Sequence, residues 1–188
     1  MAYKPSDLTD IRLLTKALTF AAGKHRHQRR KDEHASPYIN HPIQLMDVLT
    51  GIGKVEDVPT LVAALLHDTI EDTHTSYEEL KAYFGAEIAD IVMEVTDDPS
   101  LSKEDRRQDL VEKASSFSRK AKLVKLADLI TNVNDVLYND SALWTLERRR
   151  AYIEWAHNVA AGLRGTSSAL EAKFDSLYAV RDKMELTK

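Results

Sequence analysis

Apolar residues recur along this chain at the three- and four-residue intervals of a helix, and no convincing run alternates at the two-residue interval of a strand. Leu8, Ile11, Leu14, Leu18 and Ala21 mark a first helix that ends near Gly23. Pro42 opens a second, with Ile43, Leu45, Met46 and Leu49 inside it and Gly51 past its end. A proline at a first helical position loses no hydrogen bond, because first-turn amides have no helical partner. A third helix is predicted from about Val58 to Glu71, carrying Leu61, Val62, Leu65 and Leu66. Ser76 and Glu79 have the spacing of a capping box ahead of a short helix that Gly85 stops. Residues 86–95 form another, closed by the turn Thr96-Asp97-Asp98-Pro99, and Ser102 caps the next. A long helix follows from about Arg119 to Leu137; two more, near Leu143 to Leu163 and Ser168 to Met184, flank a break at Gly165-Thr166. The pattern predicts an all-α bundle of about eight to ten helices with short connections. No repeat, low-complexity tract or Gly/Ser/Pro linker interrupts it, so one domain over residues 1–188 is expected.

Composition narrows the classes. With 188 residues, 43% of them hydrophobic and 30% charged, the chain can bury a substantial core and lacks the bias of a disordered protein. No apolar run approaches the roughly 20 residues that span a bilayer, and the polar stretch Met1 to Asp10 has no signal-peptide core. The expectation is a cytoplasmic protein with no membrane partner. The absence of cysteine removes disulfides and thiolate chemistry. A formal net charge of −4 argues against a nucleic-acid partner. Against that background, Lys24, Arg26, Arg29, Arg30 and Lys31, with His25 and His27 among them, crowd positive charge into one short segment. Such a patch on an acidic chain suits a small polyanion; a solvated helix end is the plainer alternative.

The most informative stretch is Val62-Ala63-Ala64-Leu65-Leu66-His67-Asp68-Thr69-Ile70-Glu71-Asp72. Its first half is apolar all round, as in a buried helix, and then four ionisable residues arrive together. On a continuous helix, His67 with Glu71 and Asp68 with Asp72 stand four apart and share one side. An imidazole and three carboxylates at the edge of a core are costly unless compensated, and a divalent cation compensates them well. The alternative is a helix that emerges into solvent at His67. His41, before Pro42, is a further candidate ligand, expected in extended geometry just outside the helix. Asp128, between Ala127 and Leu129, is another, with Asn132 and Asp135 continuing a polar line beside the apolar face Leu123, Leu126, Ile130, Val133 and Leu137. A carboxylate so flanked wants a cation, whether a metal or a lysine.

Taken in order, His41, His67-Asp68 and Asp128 resemble the H…HD…D signature of the HD superfamily of phosphohydrolases, and His67-Asp68-Thr69-Ile70-Glu71-Asp72 is similar to the HDTxED motif of (p)ppGpp hydrolases. Arg29-Arg30-Lys31, Pro37 to Pro42, Glu94 to Asp98, Lys122 to Asp128, Glu154-Trp155-Ala156 and Gly162 to Thr166 also look like segments of the small alarmone hydrolases, the stand-alone counterparts of the SpoT/Rel hydrolase domain. The resemblance runs from about Ala17 to Leu170. It implies an HD-type helical fold with His41, His67, Asp68 and Asp128 as ligands of Mn²⁺ and Glu71 and Asp72 as catalytic acids. Arg30, Lys31, Lys103, Asn132, Arg148 and Tyr152 would contact the nucleotide. Two positions depart from the family pattern. Leu129 stands where a basic residue is usual, which leaves the preferred nucleotide open, and Ser102 stands where a proline is common.

By that resemblance the chain removes the 3′-pyrophosphate of ppGpp or pppGpp, releasing pyrophosphate and GDP or GTP. Glu71 would serve as base and Asp72 would orient the water. Between His67-Asp68 and Asp128 the chain has a single histidine, His74, so the extra ligands of a dinuclear centre are missing and one metal per chain is expected. A related hydrolase acting on ppApp, NADPH or another nucleotide is the alternative; a non-catalytic nucleotide-sensing domain is a further one. With no synthetase region among these 188 residues, the chain is expected to degrade alarmone and not to make it, and oligomeric state stays open.

Overall fold

Short polar side chains start most of the helices, and the computed structural model describes residues 9–32, 34–138 and 144–183. Ten α-helices run through them: α1 (Asp10–Lys24), α2 (Asn40–Gly51), α3 (Val58–Leu66), α4 (Thr69–Asp72), α5 (Tyr77–Phe84), α6 (Ala86–Val95), α7 (Lys103–Lys113), α8 (Arg119–Tyr138), α9 (Leu146–Gly162) and α10 (Ser168–Ala179). Among the described residues there is no strand, only an isolated antiparallel bridge between Arg29 and Pro37. The all-α expectation holds.

Asp57 starts α3 by accepting from the Thr60 amide at 3.0 Å and the Thr60 hydroxyl at 2.6 Å. Ser102 does the same for α7 through the Asp105 amide at 3.2 Å, and Thr145 for α9 through the Arg148 amide at 3.2 Å. Each such cap contributes on the order of 1 kcal/mol. Half of the expected capping box forms at α5. Ser76 accepts from the Glu79 amide at 3.1 Å, while the Glu79 carboxylate turns away to Lys24 at 2.8 Å and ties α5 to the end of α1. Gly85, at φ 91°, ends α5 in the left-handed region where other side chains are strained.

α3 is the centre of the bundle. Every residue from Thr60 to Leu66 is buried, and the helix packs against α1, α2, α6 and α8. α8 crosses α2, α3, α6, α9 and α10, and its middle is buried almost all round: Val124, Ala127 and Leu129 join Leu123, Leu126, Ile130 and Val133. The buried apolar set is continuous from Ala17 to Leu177.

The predicted boundaries at Leu8, Leu143 and Met184 lie outside the described residues; α9 is in place by Leu146. Three expectations change. The last α-helix ends at Ala179, short of the predicted end near Met184. His41 is not extended ahead of its helix but inside the first turn of α2, which begins at Asn40. The Tyr38 carbonyl accepts from the His41 amide at 3.0 Å and the Ile39 carbonyl from the Ile43 amide at 3.3 Å. These turns outweigh the extended bias of a residue before proline, and Pro42 still falls where a missing amide costs nothing. The third predicted helix breaks at His67-Asp68 into α3 and α4, with Asp68 at φ −97° and ψ 0°. Side chains compete for its carbonyls: the His67 ring binds the Ala64 carbonyl at 2.9 Å and the Thr69 hydroxyl donates to the Leu66 carbonyl at 2.6 Å.

Candidate active site

Three elements bring the predicted metal set together. The first turn of α2 supplies His41, the end of α3 supplies His67, and the middle of α8 supplies Asp128, all three buried. One donor atom from each lies within 4.8 Å of the others. His41 Nε2 is 3.2 Å from Asp128 Oδ1, and His67 Nε2 is 3.9 Å from the same oxygen. Asp68, in the break after α3, puts Oδ2 2.8 Å from His67 Nε2 and 3.9 Å from His41 Nε2. Separations on the order of 3–4 Å are those between ligands of one six-coordinate cation with bonds of about 2.1 Å.

The hydrogen bonds around the four residues test that fit. His67 Nδ1 must donate to the Ala64 carbonyl, which only accepts, so Nε2 is left with a bare lone pair. That nitrogen is buried, makes no hydrogen bond of acceptable geometry, and faces a carboxylate oxygen at 2.8 Å. Two electron-rich atoms in such contact need a positive charge between them, and a divalent cation supplies it. Without a metal a proton takes the place: burial opposes charge on the ring, yet Asp68 and then Asp128 hold the His67 pKa up at about 9. The residues present therefore fit a divalent metal site.

The carboxylates are fixed from behind. Asp128 Oδ1 accepts from Asn132 Nδ2 at 2.6 Å and Oδ2 from Lys125 Nζ at 3.2 Å, so lysine pairing and the ligand position coexist on one side chain. The Tyr38 hydroxyl donates to Asp68 Oδ2. Burial works against ionisation of both acids, but His67 beside Asp68 and Lys125 beside Asp128 hold them well below the ordinary carboxylate range.

Glu71 and Asp72 go the other way. Both side chains reach solvent, yet they sit in a wall dense enough to strip water from them. Desolvation first, then the neighbouring charges of Asp97 and Asp68 for Glu71 and of Asp68 for Asp72, raise both pKa values. Glu71 Oε2 accepts from the Asp97 amide at 3.3 Å.

Beside this cluster opens a cavity of about 530 Å³ whose walls include Arg30, Lys31, Tyr38, Asp72, Asn132, Trp144 and Tyr152. The basic loop after α1 is shaped by its own chemistry. Asp32 accepts from the His34 and Ser36 amides at 3.1 and 3.0 Å, and the Arg30 amide donates to the Ser36 carbonyl at 2.8 Å. Arg30 is aimed across the cavity at α8, where it pairs with Asp135 and reaches Asn132 Oδ1 at 3.4 Å.

Of the six predicted nucleotide contacts, Arg30, Lys31, Asn132 and Tyr152 line the cavity, whereas Lys103 and Arg148 do not. Arg148 lies over the ring of Trp144 at 4.2 Å, and it is Trp144 that lines the cavity. Leu129, expected close to the pocket, is 1% exposed in the core, so its departure from the family pattern does not touch the cavity. Sequence reasoning missed Tyr38, Lys125, Asp97 and Trp144. Lys125 stands one helical turn before Asp128, a spacing that could have found it. The others act through tertiary contacts that no local spacing announces.

The HD-domain family matches residues 17–153 of this chain. The guanosine-3′,5′-bis(diphosphate) 3′-pyrophosphohydrolase MESH1 of Danio rerio is 48% identical over 90% of this chain and 94% of its own length. The enzyme of the same name from Homo sapiens is 46% identical over 89% and 94%. A solved structure of a metazoan ortholog of SpoT that hydrolyzes ppGpp and plays a role in starvation responses superposes with a TM-score of 0.88 at 42% identity, covering 92% of this chain and 97% of that one. With its histidine and aspartate donors gathered on three helical elements, the chain belongs to the HD-domain family.

Proposed function

We propose that this chain is a Mn²⁺-dependent hydrolase of the 3′-pyrophosphate of ppGpp and pppGpp, releasing pyrophosphate and GDP or GTP. One observation carries the reading: buried donor atoms of His41, His67 and Asp128 converge within 4.8 Å, beside a carboxylate pair and a basic cavity. The substrate of the MESH1 relatives supplies the nucleotide. His41, His67, Asp68 and Asp128 hold the metal; two imidazoles with two carboxylates accept a divalent first-row cation, and the family resemblance names manganese. When bound, the cation supplies a Lewis acid that acidifies water and polarises a phosphoryl oxygen.

The chain's own residues do the rest. Glu71, with its raised pKa, takes the proton from the attacking water, and Asp72 orients it. Water adds to the 3′-phosphorus and the ribose 3′-oxygen leaves with a proton, while Arg30 and Lys31 neutralise the charge of the pyrophosphate during the displacement. Asn132 and Tyr152 form the opposite wall for the nucleoside. Arg148 acts through the Trp144 ring it covers, and Lys103 keeps only the family resemblance as support. The whole chain working as one domain, in the cytoplasm, on a small nucleotide rather than a nucleic acid, completes the proposal.

The test is incubation of purified protein and Mn²⁺ with ppGpp, ppApp and NADPH in parallel, with every product identified. GDP and pyrophosphate from ppGpp are expected. Intact ppGpp alongside cleavage of another phosphate ester would replace the substrate assignment, and no turnover of any would leave a nucleotide-sensing domain.

A further inference from the structure

Three histidines are buried among the described residues, and the third, His25, has no part in the mechanism above. It is 2% exposed, at the end of α1 where its amide donates to the Ala21 carbonyl at 2.9 Å. Its hydrogen bonds fix which ring nitrogen donates. The Asp72 main-chain carbonyl can only accept, so the side-chain nitrogen of Gln28, 2.5 Å away, must be the atom facing it. The Gln28 oxygen then faces His25 Nδ1 at 2.5 Å and can itself only accept. Nδ1 is therefore a donor, and Nε2 is buried and without a hydrogen-bond partner.

An apolar side chain would fill this space without stranding a nitrogen, so packing alone does not account for an imidazole here. What the imidazole adds is a directed donor. It orders Gln28, which grips the Asp72 end of α4. The same ring lies against Tyr38, with centroids 4.8 Å apart, and the Tyr38 hydroxyl donates to Asp68. One residue thus backs the catalytic turn and the aspartate beside it.

We propose that His25 is a positioning residue for the hydrolysis. Its Nδ1–H fixes Gln28, and Gln28 fixes the main chain of the Glu71-Asp72 turn. The inference rests on the hydrolase reading given above and assigns a role that chemistry requires without touching substrate.

Two near-isosteric substitutions separate positioning from packing. In His25→Asn the amide nitrogen falls near the position of Nδ1 and can still donate to Gln28; in His25→Gln it falls near Nε2 and cannot. His25→Gln is expected to lower kcat about 10- to 100-fold, the scale of a displaced catalytic group, with KM for ppGpp little changed. His25→Asn should keep kcat within about threefold of the parent, with the two variants melting at similar temperatures. Combining His25→Gln with Gln28→Leu should cost no more than either alone, because both break one path. A readout independent of turnover is nitrogen-resolved NMR of the substrate-free protein. It should show His25 protonated at Nδ1, with the Gln28 side-chain amide protected in the parent and in His25→Asn and unprotected in His25→Gln. Equal kcat for the Asn and Gln variants, multiplicative losses in the double variant, or an Nε2-protonated ring would overturn the proposal. If the parent leaves ppGpp intact while the Gln28 amide follows the expected pattern, the substrate assignment fails and the anchoring of Asp72 by His25 stands.

Discussion

Burial in the wall of the cleft, and then the charges of Asp97 and Asp68, make Glu71 harder to ionise than a carboxylate in water, even though the Asp97 amide it accepts from favours the charged form. Its pKa is raised, so the ionised form is penalised in the fold and not in the unfolded chain. That penalty is present above the raised pKa and vanishes as pH falls below the ordinary glutamate value of about 4.3. Glu71→Gln removes it. The variant should therefore melt higher than the parent near neutral pH in metal-free protein, with the difference shrinking toward acid, while turnover drops by about 10²–10⁴-fold. Calorimetric melts across pH, paired with pyrophosphate-release assays, check both halves; a variant that stays active ends the role of Glu71 as base. At this scale the sequence is legible wherever a residue type is out of place. His67 and Asp68 at the end of an apolar helix, and Asp128 in an apolar run, announce themselves because burial makes charge costly. Tyr38 and His25 do not, since an aromatic or a histidine is ordinary anywhere, and only the tertiary contact with Asp68 or Gln28 gives either its role.

Helices were legible where a cap or a glycine punctuates the apolar period, as at Ser102, Ser76 and Gly85. The break between α3 and α4 was not. Thr69 and Ile70 continue the apolar pattern past His67, and the interruption comes from side chains capturing the Ala64 and Leu66 carbonyls, a competition the period cannot register. The consequence favours the site, because the break lets His67 and Asp68, neighbours in sequence, present Nε2 and Oδ2 to the same point. α9 offers an element-scale test. Gly162 ends it where a Cβ would meet Ala114 Cβ and the Ser115 amide nitrogen, each at 2.9 Å. Helix propensity alone would reward Gly162→Ala by up to about 1 kcal/mol. Crowding against main chain should outweigh it, giving a net loss of roughly 1–3 kcal/mol. Chemical denaturation reads the sign directly, and a stabilised alanine variant would show that the junction after α7 yields.

Across the whole molecule, the metal set joins α2, the end of α3 and α8, elements that the hydrophobic core already holds in place. The core includes Leu45 and Leu49 of α2, Leu65 and Leu66 of α3, and Leu126 and Ile130 of α8, none more than 1% exposed. Apolar packing of that extent does not depend on a cation, so metal-free protein should keep its helical circular dichroism. What removal of the metal withdraws is the charge that offsets Asp68 and Asp128 at the junction of the three elements. Binding to the folded state alone stabilises by about 2.7 kcal/mol at a hundredfold excess over Kd. For a chain of this length that corresponds to a rise of roughly 5–10 °C in Tm. The rise should grow with the logarithm of Mn²⁺ concentration, disappear with chelator, and be absent in His41→Ala, which removes one ligand. Elemental analysis of the loaded protein should give one metal per chain, since among the described residues these three form the one cluster with the required spacing. A Tm that ignores both manganese and chelator would mean that His41, His67 and Asp128 are gathered for the proton His67 holds rather than for a metal.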